Sequence, residues 1–181
     1  LFDVVPDTAP AHAALPMRAT AHPEGIAQAA DWLARAKHPI IITERAGVSP
    51  AATQTLVAIA ELLGAPVVEG RGAGFLNFPR NHPLHAGFDP IPVMRHADAI
   101  FMPGITAPWH PPSHTPPRGA KLILLDDNPL RIEKPVWNFP VDLCLAGEVE
   151  GSLALLLAAL RTRVESNDGL RAEAIANHAK H

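Results

Sequence analysis

The apolar run Leu122–Leu125, closed at once by Asp126, Asp127, Asn128 and Pro129, restricts this chain more than any other stretch. Four apolar residues ended by turn formers read as a strand buried on both faces, the kind that fills parallel sheets. Carboxylates at the C-terminal end of such a strand stand where open α/β sheets bind ligands, ribose hydroxyls among them. Asp126 is therefore a candidate ribose acceptor. A purely local role competes with it: Asp126 or Asn128 caps a short helix LRIEK, with Pro129 in its first turn. One residue can do both.

Runs of the same kind recur before and after it. HPIIIT gives a strand over Ile40–Thr43, APVVEG one over Val67–Glu69, DAIFMPG one over Ala99–Met102 and VDLCLAG a last one, with LHAG as a small strand. Between them lie helical patterns. Ile26, Ala29, Ala30 and Leu33 recur at helical spacing after Pro23. Leu56, Ile59, Ala60 and Leu63 do so between the cap Ser49-Pro50 and the stop Gly64. IPVMRHA is a short helix, and Val149, Leu153, Leu156, Leu157 and Leu160 stripe a long one. Strands alternating with helices predict an α/β fold, a three-layer, doubly wound, Rossmann-like sheet of about six parallel strands of the FAD/NAD-binding type.

Composition limits the partners. A formal charge of −3 without a basic run speaks against nucleic acid, and no apolar stretch approaches the ~20 residues that cross a bilayer. The lone Cys144 leaves no internal disulfide and suits a reducing cytoplasm. Its place in a β run reads as core rather than as a nucleophile. The proline-rich start, LFDVVPDTAPAHAALP, and the polar, alanine-rich end, NDGLRAEAIANHAKH, read as joints to other domains. On that reading residues 1–22 are a linker from a preceding domain. Residues 23–164 are a central domain, and 165–181 begin a linker to a following one.

Four kinds of chemistry deserve weighing. The loop TERAGVSP follows a parallel strand and leads into a helix N-terminus, so Arg45 and Gly47 are candidates for holding phosphate. Neither GxGxxG nor GxxxxGK[ST] occurs, and a turn glycine beside a surface arginine is the plainer reading. His82 and His85, or His110 and His114, have metal-like spacing. Pro111, Pro112, Pro116 and Pro117 forbid a regular helix around the latter pair, and no acidic partner completes a motif. No metal site is expected. Ser49, Ser113, Ser152 and Ser166 are the only serines and none lies in GxSxG, so no hydrolytic triad is expected either. Asp126 is the fourth.

The order of these pieces resembles the central domain of thiamine-diphosphate-dependent enzymes of the acetolactate synthase type. The likeness runs from about Glu24 to Leu160, through HPIIIT, LVAIAELLGAPVVE, HPLHAG, RHADAIFMPG, GAKLILLDDNPLRIEK and LAGEVEGSLALLLAAL. It implies a polypeptide with an N-terminal pyrimidine-binding domain and a C-terminal pyrophosphate-binding domain. Together these would use thiamine diphosphate and magnesium to decarboxylate a 2-oxo acid, as a homo-oligomer. Relatives' catalytic groups lie in those other domains, and their Gly-Asp-Gly motif is absent here, so the resemblance implies no catalytic residue in this chain and no activity for it alone. In relatives the central domain binds FAD, binds ADP, or binds nothing and serves as scaffold. By position, a ligand would touch Arg45, Gly47, Gly70, Gly87, Gly104, Asp126 and Asn128.

Three departures weigh against FAD. ITAPWH follows Gly104 where acetolactate synthase has an arginine-bearing segment, Asn128 replaces the second Asp of Asp-x-Asp-Pro, and Gly147-Glu148 replaces Gly-Asp. Two rivals remain. A free-standing FAD- or ADP-binding regulatory module would bind nucleotide by itself. An NAD-dependent deacylase would show a Gly-Ala-Gly first loop and a zinc module, and neither is visible. Phe75, Leu76, Phe78, Trp109 and Trp137 belong either to docking faces or to the core.

Overall fold

The structure, a computed structural model, describes residues 17–110, 114–131, 134, 139–165, 169 and 172. The expectations placed on the first sixteen residues, on Pro111, Pro112, Ser113, Trp137 and Ser166, and on the chain end lie outside that range. The elements in chain order are α1 (Pro23–Arg35), β1 (Pro39–Thr43), α2 (Pro50–Leu63), β2 (Val67–Glu69) and α3 (Ile91–Met94). They continue with β3 (Ala99–Pro103), β4 (Lys121–Asp126), β5 (Leu143–Ala146) and α4 (Val149–Glu165).

All pairings are parallel, and the five strands run in the order β2-β1-β3-β4-β5. Where about six strands were expected, five are found among the described residues. LHAG contributes only an isolated bridge, His85 to Val67, at the β2 edge. The turn from Pro79 to His82 and the left-handed Gly87 (φ 80°) leave that segment too short to pair further.

The order in which the chain visits the strands reverses once, between β1 and β3. Right-handed crossovers then require the β1-to-β2 connection and the later connections to lie on opposite faces. The core divides in this way. Ile41, Val67, Phe101, Ile123 and Leu125 face α1, α2 and α4, meeting Leu33, Leu56, Ile59, Leu153, Leu156 and Leu160. Ile40, Ile42, Val68, Ile100, Met102, Leu122 and Leu124 face the other way, onto Met94 of α3 and onto Ile105 and Trp109. Burial on both sides is why these strands carry unbroken apolar runs rather than alternation.

The second face is covered mostly by irregular chain. Pro108, Pro116 and Pro117 crowd the β3-to-β4 connection, where each removes a helical N–H and clashes with the preceding turn. Trp109 and Phe139, stacked edge-to-face with centroids 5.5 Å apart, take the place of a covering helix.

The helix ends follow local chemistry. Ser49 caps α2 by accepting from the Ala52 N–H at 3.1 Å, Pro50 occupies the first turn, and Gly64 ends it in the left-handed region (φ 59°). Ser152 serves α4 differently. Buried on the core side, its hydroxyl accepts the Ala21 N–H at 2.9 Å and ties the lead-in to α1 against α4.

Two expectations fail here. Leu130 lies in a turn and Arg131 stands at φ 43°, so neither belongs to the expected helix LRIEK, whose Ile132 and Glu133 lie outside the described residues. Asp126 therefore caps no helix: its Oδ1 accepts the Asn128 N–H at 2.9 Å in a local turn. Cys144 is not core either. It lies on the edge strand β5 and is exposed.

Candidate functional site

Every strand delivers its C-terminal end to the same side of the molecule, and the switch point between β1 and β3 is where such sheets open a crevice. Here protein fills the crevice. The Arg45 N–H donates to the Gly104 carbonyl at 3.0 Å, and the Gly104 N–H donates to the Leu125 carbonyl at 2.8 Å. Gly104 is left-handed (φ 57°), and a Cβ there would lie 3.1 Å from the Arg45 carbonyl carbon. Glycine is needed both for the conformation and for the approach.

The Arg45 side chain spans the mouth. Its Nη1 donates to Thr106 Oγ1 at 2.7 Å and its Nη2 to Asp126 Oδ2 at 2.8 Å. Arg131 reaches the same oxygen from beneath at 2.7 Å and also donates to the Ile105 carbonyl. Asp126 is 0% exposed, and both its oxygens are engaged. Burial pushes its carboxyl above the usual range, with Asp127 adding to the rise, while the Asn128 N–H, Arg131 and Arg45 pull it back. This carboxylate is the counter-ion of two guanidiniums. A sugar hydroxyl would have to compete with them for its lone pairs.

The remaining space beside Arg45, Gly104 and Asp126 is a cleft of about 80 Å³, bounded by Arg18, Val48, Asp127 and the first turn of α4. Small-molecule sites commonly span ~300–1,000 Å³. The other expected ligand contacts scatter. Gly47 is packed inward, its N–H donating to Asn77 Oδ1 at 2.9 Å, and a Cβ would meet the Leu76 carbonyl oxygen at 2.4 Å. The Gly87 carbonyl accepts the Glu69 N–H beside β2, with open space around its Cα. Asn128 serves the Asp126 turn through its backbone. Gly70 lines a different and larger cavity.

That cavity has a volume of about 520 Å³ and lies at the ends of β1 and β2, on the face opposite α2. Ile42 and Val68 line it from the sheet. Phe88, Pro90, Ile91, Pro108 and Trp109 wall it, and Glu44, Gly70, Arg71, Gly72, Asp89, His110 and His114 supply polar groups. His110 and His114 both line this cavity. Among the described residues no group of three His, Cys, Asp or Glu side chains could hold a metal ion.

Two carboxylates missed in the sequence matter here. Glu44 follows β1 directly and Glu69 ends β2, and both are buried. Glu69 Oε2 accepts the Asn77 N–H at 3.0 Å and its Oε1 meets His85 Nε2 at 3.2 Å, so Glu69 and Asn77 lock the loop 70–77 onto the sheet. The signal that exposed Asp126, an acid closing a buried strand, was present in IITE and VVEG too. Asn77 carries no such signal: apart from Glu69, it is held by Gly47 and Glu44, about thirty residues away.

Comparison with known proteins places this architecture. Residues 26–156 match the family described as thiamine pyrophosphate enzyme, central domain, and the chain belongs to that family. It is 28% identical to a putative thiamin diphosphate-dependent enzyme from Mycobacterium smegmatis, with a TM-score of 0.69, covering 86% of this chain and 31% of that one. Against the benzoylformate decarboxylase of Polynucleobacter necessarius the TM-score is 0.67 at 23% identity, covering 87% and 30%. That likeness is one of fold. The chain is also 33% identical, over 162 residues, to the spectinabilin polyketide synthase system protein NorA of Streptomyces orinoci. It spans 82% of itself and 8% of that relative.

Thiamine diphosphate itself does not fit the residues of this chain. The strand-end acids Glu69 and Asp126 are spent on internal partners, no described cluster could hold the accompanying metal, and the sequence has no Gly-Asp-Gly.

Proposed function

We propose that this chain is the scaffold domain of a thiamine-diphosphate-dependent, acetolactate synthase-like enzyme that decarboxylates 2-oxo acids. The cofactor and magnesium would be held by pyrimidine- and pyrophosphate-binding domains of the same polypeptide, in a homo-oligomer, with residues 1–22 and 165–181 as linkers. The family match over 26–156 supports the domain assignment, and a likeness to 8% of a long relative supports a domain carried within a larger chain. The single observation carrying the scaffold role is Arg45, whose guanidinium joins Thr106 to Asp126 across the crevice that nucleotide-binding relatives would use.

The reading has a direct test. The purified chain should release no CO₂ from pyruvate or benzoylformate with thiamine diphosphate and magnesium present. A longer reading frame containing it should release CO₂, and should lose that activity when a downstream Gly-Asp-Gly is altered. Turnover by the chain alone would defeat the proposal. The free-standing FAD- or ADP-binding module finds no support in a cleft of about 80 Å³.

A further inference from the structure

The large apolar side chains that this domain leaves exposed are not scattered. Among the described residues Met17, Val48, Phe75, Leu76, Phe88 and Leu130 all lie at the end of the molecule where the strands finish, and Leu155 of α4 is the exception. Val48 follows β1, Phe75 and Leu76 follow β2, and Leu130 follows β4. Met17 reaches the same end through the lead-in to α1: Arg18 and Val48 border one cleft, and the Ala19 carbonyl accepts the Glu148 N–H at 2.9 Å. Single exposed apolar residues are ordinary, whereas a concentration of them on one end marks a surface that meets protein.

The centre of this surface is pinned to the sheet. Val48, Phe75 and Leu76 are 53%, 44% and 50% exposed. A Cβ on Gly47 would come within 2.4 Å of the Leu76 carbonyl oxygen and 2.6 Å of Asn77 Cα, an approach that sets Val48 beside Leu76. Asn77 anchors the loop. Its N–H donates to Glu69 Oε2 at 3.0 Å, its Nδ2 to the Glu44 carbonyl at 2.8 Å, and its Oδ1 accepts the Gly47 N–H at 2.9 Å. A loop ordered by buried hydrogen bonds has already given up the freedom that docking would cost it.

The rim and the path of the chain narrow the partner. Arg18 and Arg71 are exposed there, and so are Asp127 and Glu150. An anionic lipid surface or a nucleic acid calls for positive charge alone, while an apolar centre with a rim of both signs suits a protein face. Ala19 and Ala21 are tied to α4 through Glu148 and Ser152, so the polypeptide enters this domain along the edge of the apolar surface. Chain that precedes the lead-in is thereby tethered next to that surface at high effective concentration. The two solved relatives, of which this chain covers 31% and 30%, carry such further chain.

We propose that the apolar surface centred on Val48, Phe75 and Leu76 docks an apolar face of the domain that precedes this one in the longer polypeptide. The inference rests on the reading of this chain as one domain of a thiamine-diphosphate-dependent enzyme.

Hydroxyl-radical footprinting of this chain and of the longer polypeptide reads the surface side chain by side chain. A side chain about half exposed that enters an interface core, packed like a protein interior, should lose labelling roughly fivefold. Val48, Phe75 and Leu76 should do so in the longer polypeptide, and Leu155 should not. A benzophenone side chain in place of Phe75 should cross-link there to sequence preceding Met17. Phe75→Asp combined with Leu76→Asp should leave the melting of this chain in place, because both side chains are exposed. In the longer polypeptide the same pair should restore labelling of Val48 while buried Leu56 stays unlabelled.

The proposal falls if Val48, Phe75 and Leu76 label equally in the two chains. It falls too if the cross-link lands in sequence after residue 181 or in this domain of a second copy. CO₂ release judges the enzyme reading separately: a longer polypeptide that releases CO₂ with this surface fully labelled overturns the docking alone.

Discussion

Arg45 and Asp126 join the ends of β1 and β4 across β3, with guanidinium Nη2 2.8 Å from carboxylate Oδ2. Arg131 completes the arrangement at 2.7 Å from the same oxygen. The two arginines differ in surroundings. The Arg45 side chain is 36% exposed, whereas that of Arg131 is 6% exposed.

That difference sets their relative worth. Arg131→Met removes the buried partner of a fully buried acid and should cost ~3–5 kcal/mol of unfolding free energy. Arg45→Met, at the screened rim, should cost ~1 kcal/mol or less. Urea unfolding of the two variants checks the order, and equal losses would contradict it.

The hydroxyl of Ser152 is the buried acceptor for the Ala21 N–H. Ser152→Ala leaves that N–H without a partner and should destabilise by ~1–3 kcal/mol, as for other orphaned buried donors. Hydrogen exchange should quicken at Ala21 before it quickens in β3. Unchanged protection there would count against the tie.

Gly47 and Gly104 were expected to hold a ligand, and their surroundings give each a packing role. Gly104→Ala forces a side chain into φ 57° and against Arg45, at a cost of ~1–3 kcal/mol. Gly47→Ala drives a methyl onto the Leu76 carbonyl oxygen and should lower the melting temperature as well. Variants that melt like the parent would remove this account of both residues.

Cys144 should be alkylated by iodoacetamide in the folded protein, because it is exposed on β5. Partial burial, and then the charge of Asp126, push its thiol above the ordinary range. Thiolate is the reactive form, so alkylation at neutral pH should be slower than for an unstructured cysteine and should climb only in alkaline solution. A rate already at its plateau at neutral pH would contradict this.

What was legible in the sequence was mostly local. Ser49, Pro50 and Gly64 announce α2 because capping and left-handed stops act within a few residues. The strands showed as apolar runs because both faces of the sheet are covered. LRIEK misled because Asp126 and Asn128 look like caps, yet Asp126 is held by Arg45 and Arg131 and turns the chain instead. Cys144 misled because β5 alternates at an edge, with only Leu145 of its four residues buried. The closure of the crevice depends on Arg45 meeting residues some sixty and eighty positions away, which no window of sequence displays.

The central claim, that the switch-point crevice serves as scaffold and not as nucleotide carrier, is tested most directly by titrating FAD and ADP into the whole chain in a calorimeter. The account predicts no saturable binding of either nucleotide up to about 1 mM. Saturable binding of either, weakened by Asp126→Ala, would contradict it.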